Sequence, residues 1–182
     1  IGFYGNTLNT RQYPTKGYNE KLIAQIFTGN EFYHSGNPES SEHTSKQHQA
    51  WLQISFQKES YHTISHHFTL GWLANLFYSS KNFSSNYMAT MMQAGEFTPT
   101  THSQLVYNDA FRANQFIAAG IKPIYIFNNM FHLRTGFYGF MPIFPIKKNS
   151  NNKAYYGKPF TNYEYIADVS IICRLPFGSA SA

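Results

Sequence analysis

The residues of this 182-residue chain that could do chemistry are a serine beside a glycine and a set of eight histidines. Serine hydrolases of several folds hold their nucleophile in G-x-S-x-G, where the glycines permit the sharp turn that exposes the hydroxyl. The nearest segment, residues 33–37, reads YHSGN and lacks both outer glycines. We therefore predict that Ser35 is a loop residue, and no spacing of serine, histidine and acid specifies a catalytic triad.

Three of the histidines are close together in the sequence, at His62, His66 and His67. On one extended strand His66 and His67 would point to opposite faces, and His62 and His66 would lie about 13 Å apart. We predict no metal site from them, although a composite site with His132 from a neighbouring strand stays open. The phosphate-binding motifs G-x-x-x-x-G-K-[ST] and G-x-G-x-x-G do not occur, so no nucleotide cofactor is expected.

Composition narrows the class of protein. The charged fraction is 13%, about half the roughly 25% of soluble domains, while 18% of residues are aromatic, which excludes a disordered chain. The single Cys173 excludes a disulfide scaffold and a four-cysteine zinc site. The longest apolar stretch, residues 116–127, contains Lys122 and Pro123 and is too short for a membrane helix.

The basic residues are scattered and are nowhere denser than Lys147 and Lys148, which argues against nucleic acid as a partner. Arginines stand in weakly charged surroundings, where salt bridges inside the fold are expected. The sequence leaves their pairing open: the arginines are Arg11, Arg112 and Arg134, and the candidate acids are Glu20, Glu96, Asp109 and Glu164.

Apolar and polar residues alternate with a period of two along residues 52–57, 64–79 and 162–175, which predicts an all-β fold. The last two segments exceed both the 5 to 6 residues of ordinary strands and the roughly 9 to 11 of bilayer-spanning strands. Long strands with one uncharged apolar face are typical of a transmembrane β-barrel. We predict an antiparallel meander forming a barrel or partial barrel, with residues 1–182 as one domain.

Aromatic residues near the predicted strand ends match the girdles found at membrane interfaces. The predicted membrane-interface aromatics are Trp72, Tyr78, Tyr87, Tyr163 and Tyr165.

Polar connectors of unequal length separate the strands, at residues 35–49, 78–86, 95–103 and 147–158. Their lengths suit a barrel with long loops on one side and short turns on the other. Pro142 and Pro145 lack the N–H that a central strand needs, so the strand through residues 131–140 should stop or bulge there.

Four segments resemble the C-terminal region of Bacteroidetes-type patatin-like phospholipases: residues 84–90 (SSNYMAT), 111–125 (FRANQFIAAGIKPIY), 133–147 (LRTGFYGFMPIFPIK) and 152–158 (NKAYYGK). Proteins of that family carry an N-terminal patatin hydrolase domain, followed by a region similar to the bacterial surface antigen barrels of the barrel-assembly family. The resemblance runs from about residue 11 to residue 182. It implies a β-barrel in the bacterial outer membrane that anchors or translocates a lipid acyl hydrolase.

The family's catalytic motifs, a serine within G-x-S-x-G, an aspartate and a glycine-rich oxyanion segment, match no position here. The resemblance therefore implies that the catalytic domain lies upstream, and we expect no catalytic residue, cofactor or metal in this chain. Barrels of the barrel-assembly family have sixteen strands, and this chain supplies about ten at roughly 18 residues each. The expected partners are the lipid bilayer, the remaining strands and the hydrolase domain of a longer chain.

Two other classes stay open. A soluble β-sandwich that binds glycans through exposed tyrosine and tryptophan would also explain the aromatic content, though less well the strands of 14 to 16 residues. A self-contained enzyme rests only on the activity of the resembled family.

Overall fold

The structure is a computed structural model that describes residues 1–34, 44–128, 130–175 and 178–181. In chain order the strands are β1 (Gly2–Asn6), β2 (Gly17–His34), β3 (Thr44–Ser65), β4 (Phe68–Ser79), β5 (Gly95–Glu96), β6 (Arg112–Ala113), β7 (Gln115–Ile126), β8 (Phe131–Pro142), β9 (Ile146–Lys148), β10 (Ala154–Tyr156), β11 (Glu164–Leu175) and β12 (Gly178–Ser181). Two short helices, α1 (Tyr87–Gln93) and α2 (Thr101–Leu105), and a 3₁₀ turn at Asp109–Phe111 lie between β4 and β7.

The main sheet has eight strands in the order β1-β2-β3-β4-β7-β8-β11-β12, and the strand pairs are antiparallel. The prediction of an all-β antiparallel meander is therefore confirmed. Two-stranded ribbons, β5–β6 and β9–β10, lie within the two longest connections. Among the described residues β1 and β12 do not pair with each other, so the sheet is open along these two edges.

The predicted strand over residues 64–79 is wrong, because the chain reverses at His66 and His67. β3 ends at Ser65 and β4 begins at Phe68, with a register shift between Thr63 and Ser65. The turn is tied to the neighbouring strand, since Ile126 N–H donates to the His67 carbonyl (2.8 Å) and the His67 Nδ1 contacts the Ile126 carbonyl (2.9 Å). The two histidines are therefore turn residues, not members of one strand.

The strands predicted at residues 162–175 and 52–57 agree with the structure. Residues 162–175 form β11 from Glu164 onward, and residues 52–57 lie inside β3. β8 ends at Pro142, as expected of a residue without a backbone N–H. The connector predicted at residues 35–49 is wrong for 44–49, which belong to β3; Ser35 and the rest of that connector lie outside the described residues.

Both helices begin with a side-chain cap. The Asn86 side chain accepts a hydrogen bond from Ala89 N–H (2.8 Å) at the start of α1. Thr100 and Ser103 form a capping box at the start of α2. These helices were not predicted, because each is too short to show a helical period.

The two longest connections lie at one end of the sheet, and the shorter ones named below lie at the other. Residues 80–114, called the insert, and residues 143–163 lie at one end, here called the insert end. The β3–β4 turn, the β7–β8 connection and residues 7–16 between β1 and β2 lie at the opposite end, called the turn end. No helix among the described residues is long and apolar enough to cross a membrane.

The core lies on one side of the sheet, where the insert folds over it. Phe97 of the insert is 1% exposed and stacks on Phe140 of β8, with ring centroids 6.0 Å apart. The buried members of this cluster are Leu73, Phe97, Ala113, Phe116, Ala118, Tyr138 and Phe140. A second cluster joins α1 to the β9–β10 ribbon through Met91, Ala94 and Ile146. The face covered by the insert is called the inner face.

Candidate membrane-facing surface and interior cluster

Four adjacent strands, β4, β7, β8 and β11, each contain 12 residues and present their opposite side away from the insert. The cross-strand register aligns their outward residues in rows, for example Trp72 with Ile121 and Ile121 with Phe137. The residues of this outer face are Phe68, Leu70, Trp72, Ala74, Leu76 and Tyr78; Gln115, Ile117, Ala119, Ile121, Pro123 and Tyr125; Phe131, Leu133, Thr135, Phe137, Gly139 and Met141; and Tyr165, Ala167, Val169, Ile171 and Cys173.

None of the outer-face residues just named is charged, and many of their side chains are exposed. Val169 is 68% exposed, Phe137 52% and Ile121 50%. A 12-residue strand is about 40 Å long at 3.3 Å per residue, and a tilt of about 45° reduces this to a height of roughly 28 Å. That height is close to the apolar band of an outer-membrane barrel, about 25 Å.

The outward side of β2 and β3 continues this surface but carries charge, including the exposed Lys46, which lies across from Phe32. Leu22, Ile26 and Ile54 are exposed there, whereas Lys58 and Glu20, which are cross-strand partners, form an ion pair at 2.7 Å. Both of these side chains are about two-fifths exposed. The pair has no net charge.

The predicted interface aromatics fall in three kinds of place. Tyr78 and Tyr165 lie on the outer face at the insert end, and Tyr163 is exposed just before β11. Trp72 is on the outer face but near mid-strand, level with Ile121. Tyr87 is not on the main sheet: it is the first residue of α1 and packs against the second cluster.

Sequence reasoning missed the aromatic residues at the turn end. Tyr125, Phe127 and Phe131 flank the β7–β8 connection and are each about half exposed, and the Tyr125 and Phe127 rings meet at 5.0 Å. Their position on either side of the polar Asn128 was the available signal, because aromatic girdles flank the band at both interfaces.

The inner face has a different composition, because it carries charged side chains. Lys122 of β7 forms an ion pair with Glu59 of β3 at 2.6 Å, and both side chains are less than one-fifth exposed. The Tyr61 hydroxyl donates to the same Glu59 carboxylate. The Tyr138 hydroxyl and the Asp168 carboxylate are neighbours on this face, because a Cβ added at Gly136 would come within 2.5 Å of both groups. Each charge lies where lipid would not reach it if the outer face met a bilayer.

Arg134 connects this network to the β1–β2 connection. Its guanidinium donates to the Pro14 carbonyl at 3.0 Å and to the Tyr61 hydroxyl at 3.2 Å. It also lies over the rings of Tyr13 and Tyr61, at 5.7 and 5.6 Å. We name the set Glu59, Tyr61, Lys122, Arg134, Tyr138 and Asp168 the interior cluster. Its best supported role is to hold residues 7–16 against the inner face at the turn end.

Glycines make room for the tyrosines of the interior cluster. Gly71 lies directly across from Tyr61, and a Cβ there would come within 2.6 Å of the ring. Gly120 lies across from Tyr138, and a Cβ there would meet that ring and, at 3.0 Å, the Phe137 carbonyl oxygen. Aromatic rings that cover glycines across a strand pair are a device that fixes sheet register.

The insert contains an ion pair of its own. Arg112 donates to the Glu96 carboxylate and to the backbone carbonyl of Met92 (3.2 Å), which resolves the salt bridge that the sequence left open. Burial lowers the pKa of the Lys81 ammonium, and Glu31 partly offsets that effect. Burial also raises the pKa of the Tyr87 phenol, an effect to which the Asp109 carboxylate adds.

The described residues contain no cluster of three or more histidine, cysteine, aspartate or glutamate side chains able to hold a metal ion. One pocket of about 120 Å³ lies between the insert and β11, lined by residues such as Phe97, Val106 and Ile166. It is smaller than the roughly 300–1,000 Å³ of typical ligand sites. The contacts of the interior cluster neutralise the Lys122 and Glu59 charges and hold the Arg134 guanidinium. They do not pair a nucleophile with a base.

Comparison with known protein families and with curated protein sequences gave no match to this chain.

Proposed function

We propose that the main sheet is part of the wall of an outer-membrane β-barrel. We further propose that this wall anchors or translocates the lipid acyl hydrolase domain of a patatin-like phospholipase. The observation that carries the first half is the uncharged outer face of four adjacent 12-residue strands. The second half rests on the resemblance of residues 84–90, 111–125, 133–147 and 152–158 to that family.

The distribution of protein around the sheet supports the membrane assignment over a β-sandwich. In a sandwich a second sheet packs about 10 Å away on the apolar face. Here the insert packs on the inner face, and among the described residues nothing covers the outer face. Soluble monomers rarely expose a continuous apolar patch of more than a few hundred Å².

The separation of charge supports the same conclusion. On β4, β7, β8 and β11 the charged residues whose side chains the structure describes, Lys122, Arg134, Glu164 and Asp168, lie on the inner face. Lumen-facing positions of a barrel tolerate charge, whereas a charge facing the centre of the bilayer costs several kcal/mol. A sheet in water has no reason to exclude charge from its more exposed side.

The open edges at β1 and β12 indicate which partners the wall needs. Unpaired N–H and C=O groups cost several kcal/mol each in hydrocarbon. We propose that further strands of a longer parent chain pair with these edges. In this scheme the insert end carries the long loops and the turn end the short turns, as in outer-membrane barrels.

The two tryptophans provide a matched test of the membrane half. Trp72 lies on the outer face, whereas Trp51 stacks on Phe27 at 5.2 Å beneath the Lys81 ammonium, beyond the end of β4. The chain is reconstituted into phosphatidylcholine vesicles that contain brominated acyl chains, which quench tryptophan fluorescence on contact. The W51F variant reports Trp72 alone, and the W72F variant reports Trp51 alone.

We expect strong quenching in W51F and little in W72F. Equal quenching of the two variants, or a chain that stays monomeric in buffer without detergent, would contradict the membrane assignment. In the latter case, saturable glycan binding by the detergent-free protein would support the β-sandwich instead.

The hydrolase half is tested on native membranes. An antibody against the β9–β10 ribbon is used to measure the denatured mass of the native polypeptide. A band far above 20.9 kDa that carries esterase activity is expected. A band near 20.9 kDa, without a larger form, would contradict the proposal that this wall carries a hydrolase in the same chain.

A further inference from the structure

The connection between β8 and β11 is unusually basic. Residues 143–163 contain four lysines, Lys147, Lys148, Lys153 and Lys158, and no aspartate or glutamate. All four lysines are exposed. By contrast, Lys122 on the inner face is balanced by Glu59. Among the described residues no carboxylate lies within 4 Å of the ammonium of Lys147, Lys148 or Lys158.

The β9–β10 ribbon, which contains Lys147 and Lys148, packs on the insert through its other side chains. Ile146 is buried in the cluster with Met91. The Tyr156 ring packs on Phe83, with centroids 4.4 Å apart, and its hydroxyl accepts a hydrogen bond from the Asn114 side chain at 3.0 Å. The basic groups are therefore carried on a fixed element that packs on the insert.

The ribbon also orients its first lysine. Lys147 pairs across the ribbon with the exposed Tyr155, and its aliphatic stem lies against Gly157. A Cβ at Gly157 would come within 3.0 Å of Lys147 Cε. The stem follows the ribbon, so the ammonium is the part of the side chain directed to the surroundings.

The lysines lie close to the edge of the outer face. β9 begins four residues after Pro142, the end of β8, and four residues of extended chain span at most about 14 Å. Met141 is the last outer-face residue of β8 at this end, Tyr165 lies on the adjoining strand β11, and Tyr163 lies just before that strand. The ribbon therefore stands at the level where the apolar band would give way to headgroups.

We propose that the β9–β10 ribbon binds the phosphate groups of lipid headgroups in the leaflet at the insert end. This inference rests on the proposed membrane function. Lysine is a compact point charge that suits phosphate oxygens, and cations beside a membrane interface are attracted to anionic headgroups. The neighbouring Tyr155 has the amphipathic character of an interfacial residue.

The test uses the whole chain in micelles of a zwitterionic detergent, titrated calorimetrically with dihexanoyl phosphatidic acid. Lys147 and Lys148 are both replaced by glutamine (K147Q with K148Q). The matched control replaces two exposed basic residues at the turn end, R11Q with K16Q, so that the same charge is removed. We expect the ribbon variant to bind about 30-fold more weakly and the control less than twofold more weakly.

Equal affinity of the two variants would overturn the proposal. Competition by inorganic phosphate at the same concentration as the lipid would also overturn it, because the site would then be one for free phosphate. Tighter binding of a single-stranded oligonucleotide would assign the ribbon to nucleic acid instead. Quenching of Trp72 by brominated lipid is measured on the same variants, so that a failure of headgroup binding is distinguished from a failure of membrane insertion.

Discussion

The two faces of β4, β7, β8 and β11 differ in whether they carry charged residues. Successive residues of β8 point to opposite sides, so that Arg134 and Tyr138 reach the interior cluster while Leu133 and Phe137 lie on the outer face. On the inner face Lys122 is paired with Glu59 of β3 and the insert packs on the aromatic cluster, whereas the outer-face residues named above carry no charge, and nothing in the described part of the chain covers them. Under the proposed membrane function, the inner face would meet water and protein and the outer face would meet lipid.

The first prediction concerns the inner face and has the largest expected effect. Replacing Lys122 by methionine leaves the Glu59 carboxylate partly buried without its cation. Breaking a buried pair from one side costs about 3–5 kcal/mol of unfolding free energy. Urea unfolding of the reconstituted chain measures the loss.

The control for that change is K46M. Lys46 is exposed on β3, and its ammonium lies over the Phe32 ring at 5.3 Å. We expect a change within about 0.5 kcal/mol, as for most surface substitutions. Equal effects at Lys122 and Lys46 would mean that the interior ion pair does not stabilise the sheet.

The second prediction concerns the outer face. Val169 lies at the centre of β11 and is 68% exposed, and V169R introduces a charge there. In a bilayer an arginine near the midplane of a barrel wall costs about 2–4 kcal/mol. The free energy of unfolding in vesicles is the measurement.

Val106 of the insert gives a matched comparison, because it is 67% exposed and the same substitution, V106R, can be made. We expect almost no effect there. If V169R and V106R behave alike, the outer face meets water, and the contrast between the two faces has some other origin.

The third prediction tests the fit of rings over glycines and has the smallest effect. A methyl group at Gly120 would press on the Tyr138 ring and on a backbone carbonyl. Overpacking of this kind costs about 1–3 kcal/mol, so G120A should lower the denaturation midpoint. At Gly29 of β2 a Cβ would have nothing within 4 Å, so G29A should be neutral or slightly stabilising. A similar loss in both variants would indicate a general effect of backbone flexibility.

Local patterns predicted strand content well, and they failed where the chain turns. In residues 162–175 apolar and polar positions alternate except at Ile166 and Ile172, and β11 follows the pattern closely. At residues 64–79 the apolar residues Ile64 and Phe68 stay in phase across the turn, and His66 and His67 have none of the usual turn chemistry. A register shift beside Ser65 completes the reversal, and the period alone cannot show it.

The interior cluster was beyond prediction from spacing. Glu59, Lys122, Arg134 and Asp168 come from four strands, and the Arg134–Pro14 hydrogen bond joins residues 120 positions apart. Such contacts depend on strand order and register, which sequence periodicity does not contain. The outer face, by contrast, could be predicted from the two-residue alternation alone. The sequence also shows that the residues of its apolar set are uncharged.

The insert has a consequence for the order of folding. β4 and β7 are neighbours in the sheet, yet residues 80–114 separate them, whereas β7 and β8 are joined by only a few residues. Closing the longer loop costs about 2 kcal/mol more in chain entropy, because it is about three doublings in length. We expect two hairpin units, β1–β4 and β7–β12, to form early and the β4–β7 seam to close last, when Phe97 reaches its aromatic partners.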